Sequence, residues 1–304
     1  FGVVSLTPTL KKQDSYREFG CTLIDKNNIV LEINNLQHGV YGKMKVLANR
    51  YDGIDLPDNS CRILVLDSLP FFTNMNDKYE EKARRECELI QKKLAQKIEQ
   101  GLGRSVRGEK DYSCIVIIGS ELVSFVRSIT TRKLFSKQTQ KQIEIGLQMA
   151  EWANEGRTEI SFADLISLIN QCLKRDLGWK KFYESEMDSI DDEEENRDEE
   201  LGILSLEQKA DNFFICERYD DAAKVYQDIL DKTKHDDSER GWYLQKMAHC
   251  KYFGSKLESQ KLQRGAFEKN FELLKPIEGV CYKKIENINL NRTQNIIKYI
   301  QQFT

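Results

Sequence analysis

The sequence has little proline and no long apolar run. Four prolines and 17 glycines among 304 residues exclude collagen-like and low-complexity chains. No stretch of about 18 uncharged apolar residues exists, so no membrane span is predicted. The chain begins at Phe1, without an initiator methionine, a basic signal region or a cleavage site. We therefore expect it to be part of a longer cytoplasmic polypeptide.

Clustered metal ligands and excess positive charge are also lacking. Eight cysteines and three histidines occur singly along the chain, without the paired spacing of zinc sites. We therefore expect no metal site, and free thiols in a reducing compartment. The formal net charge is -3, whereas nucleic-acid-binding domains are often basic overall. Any binding of nucleic acid must then use a local groove.

Three apolar runs in the first half predict strands, at residues 3–6, 62–66 and 114–118. They are rich in branched residues and do not alternate, as expected when helices cover both faces of a sheet. A charged helical pattern over residues 77–100 and a shorter one over residues 16–21 separate the runs. The alternation of strands and helices predicts an α/β domain with a parallel sheet.

After these strands the pattern becomes helical. Residues 138–154 and 161–174 predict helices, and Ser161 with Asp164 comes close to a capping box. Residues 184–202 are dense in carboxylates, which repel one another. They predict an acidic linker or loop.

The last hundred residues combine small and aromatic side chains at helical spacing. One group resembles a tetratricopeptide helix pair, in which small residues let two helices approach and aromatic rings fill the gaps. Its members are Ala210, Phe213, Phe214, Tyr219, Ala222, Ala223 and Tyr226. A second, similar pair follows at Trp242, Ala248 and Tyr252, and residues 287–304 predict an amphipathic helix that docks on a protein partner. Because stable arrays need three or more repeats, we predict a helical accessory domain over residues 203–304.

The segment 100–107, Gln-Gly-Leu-Gly-Arg-Ser-Val-Arg, carries the sharpest functional pattern. Arg104 and Arg107 are three residues apart and share a helix face. Their planar guanidinium groups suit phosphate contacts and stabilise charge that develops in phosphoryl transfer. The segment resembles motif VI of superfamily 2 helicases, Q-x-x-G-R-x-x-R, at every defined position. The resemblance implies that both arginines reach the γ-phosphate of ATP across a cleft, beside Gln100 and Gly103.

A second segment, residues 47–57, is similar to motif V of the same helicases. The resemblance implies that Gly53 permits the turn after a strand and that Asp55 links the ATP cleft to the nucleic-acid path. It also implies that Arg50 contacts the nucleic acid. The extended form, Asn-Arg-Tyr-Asp-Gly-Ile-Asp-Leu-Pro, resembles the branch of helicases that includes DinG- and XPD-like enzymes. It is also similar to helicase subunits of bacterial antiphage defence systems.

A third segment, residues 3–9, resembles motif IV, a strand that ends in Thr or Ser at the start of a helix. Backbone N–H groups at such a position favour phosphate. The resemblance therefore implies that Thr7 and Thr9 contact the nucleic-acid backbone.

The three motifs occur in the order IV, V, VI, which implies the second RecA-like lobe of a helicase. The predicted fold class is α/β, a RecA-like parallel sheet flanked by helices, followed by an all-α C-terminal region with a tetratricopeptide-like helix pair. The predicted domains are the lobe over residues 1–130, a helical extension over residues 131–183, the acidic linker over residues 184–202 and the accessory domain over residues 203–304.

A phosphate-binding P-loop, G-x-x-x-x-G-K-[ST], is absent from the 304 residues. We therefore expect ATP and Mg²⁺ to be held mainly by an N-terminal RecA-like lobe of the same polypeptide, and this chain alone to be inactive. The expected partner is single-stranded or duplex nucleic acid, with DNA favoured over RNA.

A non-catalytic protein-interaction module, with a RecA-like lobe and a tetratricopeptide-like tail, is the alternative. The intact arginine pair favours the motor, because a lobe freed from catalysis has no physical need for it.

Overall fold

The computed structural model describes residues 1–51, 53–72, 74–106, 111–153, 161–190, 198–232 and 236–274. The chain forms two compact units. The first combines Phe1–Phe71 with Gln91–Asp192, and the second combines Phe72–Ile90 with Glu193–Thr304. Within the described ranges, no helix has the length and apolar character that crossing a membrane requires.

A five-stranded parallel sheet forms the centre of the first unit. Its strands are β1 Val3–Thr7, β2 Thr22–Ile24, β3 Lys45–Ala48, β4 Ile63–Asp67 and β5 Cys114–Ile118, in the order β2-β3-β1-β4-β5. All four pairings are parallel. The parallel sheet predicted from the apolar runs is confirmed, and the short strands β2 and β3 were not anticipated. β5, at one edge, is only half-buried, whereas the predicted pattern implied burial on both faces.

Helices flank this sheet. They are α1 Leu10–Asp14, α2 Ile29–Gln37, α5 Ser120–Arg127, α6 Ile129–Arg132, α7 Lys137–Ala153, α8 Phe162–Leu173 and α9 Leu177–Asp188. The helices predicted at residues 138–154 and 161–174 are confirmed as α7 and α8. Ser161 caps α8 in a complete capping box with Asp164. The helical segment predicted over residues 16–21 is a 3-10 turn, Ser15–Phe19, which ends at Gly20 with φ 69°.

The strand order creates a crevice at the carboxyl ends of β1 and β4. The chain leaves β1 toward β2 on one side of the sheet, and it leaves β4 toward β5 on the other side. Ligands of open α/β sheets bind where neighbouring strands send their connections in opposite directions. This crevice is therefore the expected place for functional side chains.

The single helix predicted over residues 77–100 is wrong. Two helices, α3 Met75–Ala83 and α4 Glu88–Leu102, occupy this stretch. The carbonyl of Ala83 accepts hydrogen bonds from Asn270 Nδ2 at 2.6 Å and Ser238 Oγ at 2.8 Å. These two side chains occupy the carbonyl that would accept the next backbone hydrogen bond of the helix, and α3 ends there.

Four helices form most of the second unit: α10 Asp198–Ile215, α11 Tyr219–Lys232, α12 Asp237–Tyr252 and α13 Lys256–Lys269. Each packs against the next in sequence. Small residues lie at their contacts, as predicted: Ala210, Ala222 and Ala223 are at most 2% exposed. A Cβ on Gly241 would lie 2.4 Å from Cβ of Asn270, so only glycine fits there. The helix predicted over residues 287–304 lies outside the described residues.

The acidic segment 184–202 is helical at both ends rather than a loop throughout. Helix α9 continues to Asp188 and α10 begins at Asp198, and residues 191–197 between them lie outside the described residues. The charge of Glu186 is offset by Lys141, whose Nζ is 2.7 Å from its carboxylate. This ion pair offsets one charge near the end of α9, where the helix extends into the acidic segment.

Candidate functional site at the carboxyl edge of the sheet

The motif V segment forms a loop after β3. Asn49 and Gly53 have φ angles of 52° and 70°, in the left-handed region that Gly and Asn tolerate. The side chains of Tyr51, Ile54 and Leu56 turn inward and are only 2%, 5% and 0% exposed. The loop is thus fixed by its own buried side chains.

The guanidinium group of Arg104 binds this loop. Its Nε donates to the carbonyl of Tyr51 at 2.8 Å, and its Nη1 donates to the carbonyl of Ile54 at 3.0 Å. The carbonyl of Arg104 in turn accepts from the N–H of Leu56 at 3.2 Å. Three hydrogen bonds therefore join the residues after α4 to the motif V loop, through backbone groups of the loop.

Packing adds a second connection between the two motifs. A Cβ on Gly101 would lie 2.8 Å from Cδ1 of Tyr51 and 3.4 Å from Cδ2 of Leu66. The aromatic ring of motif V therefore rests directly on the backbone of α4. Lys97, one turn earlier, places its Nζ 5.9 Å from the centre of the same ring and donates to the carbonyl of Phe71 at 2.8 Å.

Three other predicted ATP-site residues, Gln100, Gly103 and Asp55, lie around this junction. Gln100 and Gly103 are exposed at the end of α4, and Asp55 is exposed on the loop. The carbonyl of Asp55 accepts from Gln37 Nε2 at 3.3 Å. Arg107 lies outside the described residues. The roles of these residues at an ATP site stay predictions.

The motif IV threonines differ in their surroundings. Thr7 is 0% exposed, and its hydroxyl donates to the carbonyl of Leu47 at 3.2 Å, which ties β1 to β3. Thr9 is half-buried and caps α1, where its Oγ1 accepts from the N–H of Lys12 at 2.9 Å. Arg50 is exposed after β3. The contacts of these residues with nucleic acid stay predictions, and in this conformation the Thr7 hydroxyl faces protein.

Comparison with known families identifies a domain that includes the segments assigned to motifs V and VI. Residues 38–142, about a third of the chain, match the model of the helicase C-terminal domain. These residues belong to a helicase C-terminal domain of superfamily 2. Comparison with curated proteins gave no significant match. The matched segment contains β3, β4 and β5 with motifs V and VI, and β1 and β2 complete the same sheet. The domain implies a helicase-type function, which depends on ATP in a full-length enzyme.

The helicase C-terminal domain also contains a polar cluster that the sequence motifs did not reveal. Asp67 ends β4 with a side chain only 4% exposed. Its carboxylate accepts from Tyr16 Oη at 2.7 Å and from Ser68 Oγ at 2.8 Å, and Lys12 Nζ lies 3.4 Å away. The cluster lies between the carboxyl ends of β1 and β4, where the connections diverge.

The cluster perturbs the titration of Tyr16. Burial, the largest cause, acts together with the neighbouring Asp67 carboxylate to raise the pKa of this phenol to about 12. Tyr16 therefore stays protonated and keeps donating to Asp67 at neutral pH. The sequence did contain a signal for Asp67, which directly follows an apolar run in Val-Leu-Asp. The last residue of a parallel strand lies at the crevice.

The described part of the chain offers no candidate metal centre. Among the described residues, no group of three or more His, Cys, Asp or Glu side chains is placed to hold a metal ion. The carboxylate at the crevice, Asp67, is already matched by Lys12 and Tyr16.

Proposed function

We propose that this chain is the C-terminal part of an ATP-dependent superfamily 2 helicase or translocase that acts on nucleic acid. ATP and Mg²⁺ are held mainly by an N-terminal RecA-like lobe of the same polypeptide. Residues 100–107 supply the arginine side of the ATP site, and the carboxyl edge of the sheet supplies strand contacts.

The observation that carries the proposal is the clamp between Arg104 and the motif V loop. Its two guanidinium bonds to the carbonyls of Tyr51 and Ile54 connect the segment that resembles an ATP-sensing motif to a loop at the strand-binding edge. A motor needs such a connection, because ATP hydrolysis at one site must change the affinity for nucleic acid at another.

The two arginines then have different roles. Arg104 is a positioning residue, since its guanidinium is already occupied by backbone carbonyls and fixes the loop that contains Gly53 and Asp55. Arg107 is the residue that stabilises charge on the transferring phosphoryl group. Gln100 and Gly103, both exposed beside them, face the nucleotide.

Strand contacts are proposed for exposed groups at the same edge. Lys12 is 44% exposed and Arg50 is exposed, so both can neutralise phosphates. Thr9 lies beside Lys12, whereas Thr7 supports the edge from inside. DNA as the strand, and a role in bacterial antiphage defence, are predictions from the resemblance of motif V.

The test uses the full-length polypeptide. Arg107→Ala should lower kcat of nucleic-acid-stimulated ATP hydrolysis by about 10³-fold, with little change in single-strand affinity. Arg104→Ala should lower kcat and also raise the concentration of strand needed for half-maximal stimulation, because the loop loses its clamp. Arg104→Lys should not restore either value, since one ammonium cannot bridge both carbonyls in the fork geometry of arginine. Arg127→Ala, an exposed arginine of α5, is the matched control and should behave as the parent.

Several outcomes would overturn the proposal. Near-normal ATP hydrolysis by Arg107→Ala would remove the arginine role. Robust hydrolysis by the 304-residue chain alone would contradict the assignment of the nucleotide cradle to another lobe. A full-length polypeptide without a P-loop would favour the protein-interaction module instead. Measuring ATP hydrolysis with single-stranded DNA and with RNA of the same sequence decides which of the two nucleic acids stimulates the enzyme.

A further inference from the structure

Two cysteines of the first unit are neighbours although 58 positions separate them in sequence. Cys114 begins β5 and Cys172 is in the last turn of α8, and these two elements pack together. The two thiols are close enough for a hydrogen-bonding contact between them to shift the pKa of each. Both residues are free and only partly buried.

The chain around the pair fixes this neighbourhood. Tyr112, two residues before Cys114, donates from its hydroxyl to the carbonyl of Leu173 at 3.4 Å. The guanidinium carbon of Arg175 lies 4.5 Å from the centre of the Tyr112 ring, and that of Arg62 lies 4.0 Å from it. Strand β5 and the end of α8 are thus joined by a hydrogen bond and a stacked ring on one side of the thiols.

The two sulfurs differ in acidity. The hydrogen-bonding contact with Cys114 lowers the pKa of Cys172, burial opposes this shift, and the nearby Arg175 charge lowers the pKa further. The same contact and burial raise the pKa of Cys114. Cys172 is therefore the first of the two to become a thiolate, the form that reacts with oxidants.

Other described cysteines lack this combination. Burial is the main cause that raises the pKa of Cys61 to about 12, and it raises the pKa of Cys87 and Cys250 to about 11, so these thiols stay protonated and inert. Cys216 is exposed on the second unit and serves as a control.

We propose that Cys114 and Cys172 are an oxidation site, where a hydroperoxide converts the paired thiols into a reversible disulfide between β5 and α8. The proposal concerns the fold of the first unit and does not depend on the proposed helicase function.

The reaction balances with hydrogen peroxide as the oxidant. The Cys172 thiolate attacks one peroxide oxygen and the O–O bond breaks, which gives a sulfenic acid and, with one proton, water. The Cys114 sulfur then attacks the Cys172 sulfur, the S–O bond breaks, and a second water leaves with the proton of Cys114. Two thiols are oxidised by one peroxide, and an added dithiol reduces the disulfide to the two thiols while it becomes a disulfide itself.

Peptide mapping of the native 304-residue chain tests the proposal. The reduced chain is treated with one equivalent of hydrogen peroxide, remaining thiols are alkylated, and the digest is analysed by mass spectrometry without reductant. A crosslinked peptide pair containing Cys114 and Cys172 is expected as the main product, and dithiothreitol should remove it. Cys114→Ser should instead leave a sulfenic acid on Cys172 that dimedone traps, and Cys216→Ser should leave the crosslink unchanged.

Two results would overturn the proposal. One is oxidation that falls mainly on Cys21 or Cys216, with Cys114 and Cys172 still alkylated. The other is equal formation of the crosslink in chain unfolded by urea, which would make the pairing adventitious. Because the decisive map uses the unmodified chain, it does not depend on whether the serine variants fold.

Discussion

The Arg84 cluster of the second unit offers the sharpest test of the packing described above. Its guanidinium is 4% exposed and lies between two carboxylates, with Nε 2.7 Å from Glu239 and Nη1 3.2 Å from Glu207. Nη2 contacts the hydroxyl of Tyr243 at 3.2 Å, and the indole of Trp242 lies 5.4 Å from the guanidinium carbon. One cation thus neutralises two partly buried anions. Arg84→Met keeps the apolar stem and removes only that charge.

The expected loss follows from the burial of the partners. Removing one member of a buried ion pair costs about 3–5 kcal/mol, because the remaining charge is left uncompensated. Glu207 is 22% and Glu239 12% exposed, so water can reach them and the lower value, about 3 kcal/mol, applies. Replacing both glutamates by glutamine in the Arg84→Met chain should recover part of the loss, since the two side chains that face position 84 then carry no charge.

Urea unfolding followed by Trp242 fluorescence measures this loss in the second unit. The other two tryptophans, Trp152 and Trp179, are replaced by phenylalanine so that Trp242 alone reports. Arg218→Met is the matched control, because its ion pair with Asp221 is 58% and 39% exposed and such pairs contribute about 0–1 kcal/mol. Equal losses for the two variants, or full stability of Arg84→Met, would refute the argument from burial.

Two further predictions concern the junction of motifs V and VI. Gly101→Ala should destabilise the first unit by about 1–3 kcal/mol, because the added methyl group overpacks against Tyr51. Gly103→Ala should not destabilise it, because the nearest atom to an added Cβ there is 3.5 Å away. Thermal unfolding of both variants measures the difference, and equal stability would contradict the close packing. Tyr51→Phe should raise stability by about 1 kcal/mol, because the buried hydroxyl has no hydrogen-bond partner among the described residues. Tyr226→Phe should lower it by about 1 kcal/mol through loss of the 2.7 Å bond to Asp211, and the opposite order of the two tyrosine variants would contradict the reasoning.

The parts of the fold that the sequence predicted are those with long, regular patterns. Strands β1, β4 and β5 are continuous apolar runs, and α8 carries its own capping residues, Ser161 and Asp164. Strands β2 and β3 have three and four residues, too few for a period to be visible. The break between α3 and α4 depends on Asn270, which is 187 positions away from Ala83, and no local pattern can reveal such a partner.

The candidate site shows the same division. The residues of motifs V and VI resemble those of a known family, and this resemblance predicted which segments form the candidate site. They did not predict that Arg104 binds carbonyl groups, because a backbone acceptor has no signature in the residue that bears it. The Asp67 cluster was missed for another reason: Tyr16, Lys12 and Asp67 meet only after three crossovers bring β4 beside β1.

The second unit is built from two stretches of chain that are far apart, Phe72–Ile90 and Glu193–Thr304. Arg84 pairs with Glu239, 155 positions later. During synthesis, the charge of Arg84 therefore has no Glu239 partner until the last helices have been made. Loops of this length close slowly and leave apolar surface exposed in the meantime. A ribosome-bound chain that ends before α12 would therefore hold Arg84 without Glu239, and nascent chains of increasing length should acquire protease resistance in this unit only after residue 270 has emerged.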